Sequence, residues 1–214
     1  MAVSLPSRVG VSLFSVLALF VSLLSDSNAT LTQITVTLTD PNGLPPPGPP
    51  FSFSDTVSVV PGLEILPGNG TNIGSSGALL NNEHVDAQSD NRIVLQLEAG
   101  AGSNTGYGAG ANYLFSSFGF SSPSLVTGVK VSLDNITGVT LGDQVVFAGG
   151  AVRVFVDTLA VPDFKAACGG VQCGTITLDL IVSQVPEPAS FAVLAIGVGA
   201  VVVRGRFAKG RLRS

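Results

Sequence analysis

From Thr30 to Val182 the apolar side chains recur at every second position. Ile34, Val36 and Leu38 fall on one face of an extended segment, and Thr35, Thr37 and Thr39 on the other. The same alternation returns at Phe51–Val59, Arg92–Glu98, Val129–Asp134, Val152–Asp157 and Thr175–Ser183, with Phe155 as an exception. A period of two belongs to strands with one face buried and one face wet, the mark of antiparallel sheets. Further strands are expected at Tyr113–Phe120, Thr137–Leu141 and Gln144–Phe147. Turn signals such as Asp40-Pro41-Asn42-Gly43 separate them, which gives eight to ten strands. The expected fold is therefore all-β, an antiparallel β-sandwich of jelly-roll-like or Ig-like kind spanning residues 30–184. Before Ala189 no stretch reads as a helix. Leu44–Pro50 and Ala99–Gly110 read as loops, the first through its prolines and the second through Gly and Ala.

Both flanks break this pattern. Residues 1–29 carry Arg8, then an apolar run from Val9 to Leu24, then small residues at Ser27 and Ala29. That is the plan of a secretory signal peptide, with cleavage expected between Ala29 and Thr30. An uncleaved anchor is the alternative, but about 16 apolar residues fall short of the usual span of about 20. Residues 185–214 hold Pro186-Glu187-Pro188 within 185–190, an uncharged apolar run at 191–203 expected as a transmembrane helix, and a tail at 204–214 with five bases. Pro186 and Pro188 each lack an N–H and fix φ, so the motif is expected to be extended and open to a peptidase. The bases resist translocation and leave the preceding domain outside.

This three-part tail resembles the PEP-CTERM sorting signal of Gram-negative bacteria. The resemblance implies recognition by a membrane-embedded exosortase and processing near Pro186, Glu187 and Pro188. It also implies an inner-membrane anchored intermediate, followed by the cell surface or extracellular matrix. Proteins with such tails are often linked to exopolysaccharide and biofilm. A Gram-positive sortase signal is not met, because Leu66-Pro67-Gly68-Asn69-Gly70 is only a near miss and lies far from the tail.

Charge sharpens the partition. Charged residues make up only 11% of the chain, so hydroxyls and amides must supply much of the polar surface. Between Thr30 and Ser190 thirteen acids face four bases, a net of −9, whereas residues 204–214 carry +5. An acidic domain repels phosphate backbones, so no nucleic acid is expected as a partner.

Candidate chemistry is sparse. Cys168 and Cys173 are the only cysteines, and an even count in an exported chain suits a disulfide, with free thiols or a metal as alternatives. A metal would need more soft ligands, and His84 is the only histidine. Asp86, Asp90 and Asn91 could offer oxygens to calcium, but without EF-hand spacing residues 83–91 read better as a solvated loop. No Gly-x-Ser-x-Gly elbow occurs, and no acid pair stands out. The expectation is a non-enzymatic structural or adhesive domain with no cofactor and no metal. The alternative is a polysaccharide-binding module using Tyr107, Tyr113 and the acidic loop with calcium.

Overall fold

The computed structural model describes residues 29–43, 48–99 and 106–185. Ten strands appear among them: β1 (Leu31–Asp40), β2 (Phe51–Ser58), β3 (His84–Gln88), β4 (Arg92–Glu98), β5 (Asn112–Phe120), β6 (Ser124–Asp134), β7 (Val145–Ala148), β8 (Ala151–Phe155), β9 (Phe164–Lys165) and β10 (Val171–Gln184). All pairings of these strands are antiparallel. One sheet has the order β2-β1-β5-β8-β7 and the other β3-β4-β10-β6, with β9 added to the start of β10. The chain passes between the sheets at β2–β3, β4–β5, β5–β6, β6–β7 and β8–β9, so neither sheet is a simple meander.

The two inner faces share one core. Ile34, Val36 and Leu38 of β1 and Tyr113 and Phe115 of β5 are fully buried. They belong to the same apolar cluster as Ile93, Leu95 and Leu97 of β4 and Ile176 and Leu178 of β10. The outer faces are wet. On β1 and β2 the hydroxyls pair across the strands, Thr35 with Thr56 (2.8 Å), Thr37 with Ser54 (2.9 Å) and Thr39 with Ser52 (3.0 Å). Such cross-strand pairs stabilise an exposed sheet face without charge.

The long connection from β2 to β3 packs rather than dangles. Its Ile65 bridges to Val85 and is buried, as is Ile73. Ile73 lies in a single helical turn, α1 (Asn72–Ser75), which no periodicity announces. Thr71 caps it by accepting from the Gly74 N–H. Asp55, at an inward position of β2, accepts from the N–H groups of Asn72 (2.8 Å) and Ile73 (2.7 Å). A carboxylate at a helix start satisfies donors that have no partner in the turn itself.

The alternating segments form strands as expected, and several expectations are corrected. Residues 83–91 do not form a solvated loop: His84–Gln88 is β3, joined to β4 by a tight turn in which Asn91 takes φ 67°. Thr137–Leu141 is not a strand, since only isolated bridges at Thr137 and Leu141 form. Helical turns do occur, at α1 and at the 3-10 turn Ala166–Cys168. The expected transmembrane helix at 191–203, the Pro-Glu-Pro motif and most of the signal peptide lie outside the described residues. Among the described residues no helix is long and apolar enough to cross a membrane.

Truncating Phe115, which is fully buried, to alanine should lower unfolding stability by about 3–5 kcal/mol in chemical denaturation. Leu125→Ala, at a side chain 61% exposed, should stay within about 0.5 kcal/mol. Equal losses in the two variants would contradict the assigned faces.

Candidate functional site: the pole where both chain ends leave the sandwich

The first and last described residues meet at one end of the molecule. The Thr30 N–H donates to Ser121 Oγ (3.0 Å), and the Ser121 N–H donates back to the Thr30 carbonyl (2.9 Å). Two residues on, Val185 N–H donates to the Pro123 carbonyl (2.9 Å), and Gln184 stands opposite Ser124. The β5–β6 turn thus holds the incoming strand on one side and the outgoing strand on the other. The β3–β4 turn closes the group. Asn91 donates from Nδ2 to the Ala29 carbonyl (2.7 Å), and its own carbonyl accepts from Leu180 N–H (2.9 Å).

This pole is also where hydrogen bonding is incomplete. Among the described residues, the buried side-chain polar atoms without a partner are Asn91 Oδ1, Ser122 Oγ and Ser124 Oγ. Leaving a buried polar group unpaired costs about 1–3 kcal/mol. Ser122 and Ser124 flank Pro123, and Asn91 is the residue bonded to Ala29.

The opposite pole is closed by carboxylates. Asp40, fully buried at the end of β1, accepts from the N–H of Asn42 (2.8 Å) and of Gly108 (3.0 Å), so it fastens the β4–β5 connection to the β1–β2 turn. A side chain at Gly108 would collide with Asn42 and Asp40, which explains glycine there. Glu98 holds Asn82 through both its backbone N–H and its Nδ2 at 2.8 Å. Glu64 lies instead at the pole of the chain ends, where it accepts from Ala87 N–H (2.6 Å) and Val60 N–H (3.2 Å), and burial raises its pKa. At the opposite pole, the last of these acids is Glu83. Glu83 is 1% exposed; one oxygen accepts from Leu80 N–H (3.0 Å) and from the Tyr107 hydroxyl (2.8 Å). Tyr113 can in turn donate to Tyr107, their hydroxyls being 3.1 Å apart. Burial, the dominant cause, pushes the Glu83 pKa to about 7 against the pull of these donors.

Tyr107 and Tyr113 are therefore not exposed sugar platforms: they are 6% and 0% exposed and form a buried hydroxyl chain to Glu83. The calcium candidates are separated in the same way. Asp86 accepts from Gln88 Nε2, Asp90 pairs with Arg92, and Asn91 serves the turn. Among the described residues no three ligating side chains gather in a metal-binding group. His84 sits half-buried on the edge strand β3, and burial lowers its pKa. An open cleft of about 470 Å³ lies between β2 and α1. Its walls are Ser52, Ser54, Thr71, Asn72, Ser75 and Ser76, together with Phe53 and Gly70, none of them titratable.

Cys168 and Cys173 are joined in a disulfide with Cα atoms 6.3 Å apart. Gly169 and Gly170 take φ of 70° and 84°, which lets so short a loop turn back into β10. The bridge fixes the entry to β10 at the pole opposite the chain ends.

Ala29 and Thr30, between which the sequence led us to expect leader cleavage, fall inside the pole, whereas Pro186, Glu187 and Pro188 begin one residue beyond the described Val185. Sequence reasoning could not place the two ends of the domain side by side, because the contacts run through Asn91 and Ser121, far along the chain. Glu83, Asp40 and Glu64 were missed as buried groups, since an isolated acid in a sequence carries no sign of the N–H donors it will meet.

Because the folded state keeps a proton on Glu83 that the unfolded chain releases above about 4.5, its contribution to stability is full at low pH and is lost as pH rises to about 7. Glu83→Gln cannot ionise and should remove this fall. Relative to the variant, the wild type should lose about 3 kcal/mol between about pH 4 and about pH 8. Parallel profiles of melting temperature against pH would contradict it. Reducing the Cys168–Cys173 bridge should lower stability by about 2 kcal/mol, the entropy of so short a loop, measured by denaturation with and without reductant.

No protein-family model matches this chain, and no curated protein or solved structure matches it either.

Proposed function

We propose that this chain is an exported structural or adhesive protein, delivered through its leader and sorted through its C-terminal tail. In this reading the leader is removed during export, and the apolar run at 191–203 holds the chain in the inner membrane. An exosortase-type peptidase then acts near Pro186, Glu187 and Pro188, and the domain passes to the cell surface or the matrix. The finer features of the fold, a transmembrane helix at 191–203 and a jelly-roll-like or Ig-like arrangement of the two sheets, belong to the same proposal.

The observation that carries the reading is the shared pole. Val185 leaves the sandwich directly before Pro186, with its N–H still bound to Pro123. The motif therefore follows directly on the last described residue of the sandwich, and in this reading it is held extended for the peptidase. A peptidase needs such a segment. The carboxylate-stapled pole and the disulfide lie at the far end, directed away from the membrane. A role in adhesion or matrix structure fits a surface built from hydroxyl pairs rather than from a titratable cleft.

The test is mass spectrometry of the full chain expressed in a Gram-negative host that carries an exosortase. The mature protein is expected to end near Pro186–Pro188, and Glu187→Ala is expected to leave the whole tail attached and the protein in the membrane fraction. Mature matrix protein that still ends at Ser214 would overturn the sorting reading.

A further inference from the structure

We infer that the leader is cut between Ser27 and Asn28, so that Ala29 remains on the mature protein as the first residue of the folded domain. This inference rests on the export reading above and moves its N-terminal cut two residues upstream.

Two overlapping frames in the sequence satisfy a signal peptidase, which needs small residues at the last and third-last positions before the cut. Ser27 and Ala29 form one frame, and Ser25 and Ser27 form the other. Residue types alone cannot separate them.

The fold separates them. Ala29 is 5% exposed, and its carbonyl is the acceptor for Asn91 Nδ2 at 2.7 Å. Asn91 occupies a left-handed conformation, φ 67°, at the turn that joins β3 to β4. Its Oδ1 is already buried without a partner. If Ala29 left with the leader, Nδ2 would lose its acceptor too, and both ends of that amide would stand unpaired. Asn91 also accepts from Leu180 N–H of β10 through its carbonyl, so the loss would fall on the turn that links the entering strand to the leaving one. Cleavage after Ser27 removes none of these bonds. It leaves Asn28 and Ala29 as a short lead into Thr30, whose N–H and carbonyl are both held by Ser121.

The experiment is intact-mass and N-terminal analysis of the exported full chain made with its own leader. An N-terminus at Asn28 is expected. An N-terminus at Thr30 would overturn this inference while leaving export in place, and an N-terminus at Met1 would overturn the export reading itself. Two variants sharpen the result. Ala29→Phe places a bulky side chain at the last position of the downstream frame only, and it should leave the yield of cleaved leader unchanged. Ser25→Phe blocks the upstream frame only, and it should abolish the Asn28 terminus. Accumulation of uncut precursor in Ala29→Phe, with normal cutting in Ser25→Phe, would refute the assignment independently of how well either variant folds.

Discussion

The second sheet depends on β10. This strand of 14 residues is hydrogen-bonded to β4 on one side and β6 on the other. Without it, β3 and β4 would be an isolated hairpin and β6 would have no partner in its sheet. Two-stranded hairpins are marginal in water, so the apolar faces of β4 and β6 have no stable home until β10 arrives. It is also the last strand before the Pro-Glu-Pro motif. Closing the sandwich therefore requires residues up to Gln184, and the pairing is between segments distant in the chain, which is the slow kind to form. The strand that completes the fold is the one that leads into the Pro-Glu-Pro motif.

Low charge content constrains how the ends of the sandwich are held. With few ion pairs available, the loops are fixed by single carboxylates that accept several N–H bonds each: Asp40, Glu83 and Glu98 at the far pole, and Glu64 at the pole of the chain ends. A buried carboxylate with full hydrogen bonding can be tolerated, but desolvation still raises its pKa, as at Glu64 and most strongly at Glu83. The exposed ion pairs are a different matter. Arg92 reaches Asp179 at 2.9 Å across β4 and β10, but both side chains are more than two-fifths exposed, so solvent screens the pair and it adds little to stability.

Much of the architecture was legible because alternation is local. Val36 and Leu38 need only their neighbours Thr35 and Thr37 to declare a face, and the structure keeps that face buried. β3 was missed although Val85 and Ala87 also alternate, because His84, Asp86 and a following Asp90 gave the segment the look of a ligand loop. Thr137–Leu141 was overread: Gly138 takes φ 87° and no neighbouring strand offers a continuous row of partners. Tyr107 and Tyr113 show the deeper limit. Whether a tyrosine is a surface platform or a buried donor depends on an acceptor for its hydroxyl, and here that acceptor, Glu83, lies 24 residues upstream of Tyr107.

The hydroxyl-paired face follows from the composition. A β-sandwich must protect its edge strands from pairing with other chains, and charged residues are the usual guard. This chain has few to use. On the β2 edge it instead packs the connection that contains α1 alongside the strand, with Asn72 donating from Nδ2 to the Ser54 carbonyl at 3.0 Å and Asp55 holding the turn. The β3 edge is covered by Ile65, which bridges to Val85. Only β6 keeps a long free edge, and there a register shift opposite Ile181–Val182 and the exposed Lys130 break the regular row of donors and acceptors. The surface is thus made polar by Thr and Ser, and its edges are limited by backbone and amide contacts rather than by charge.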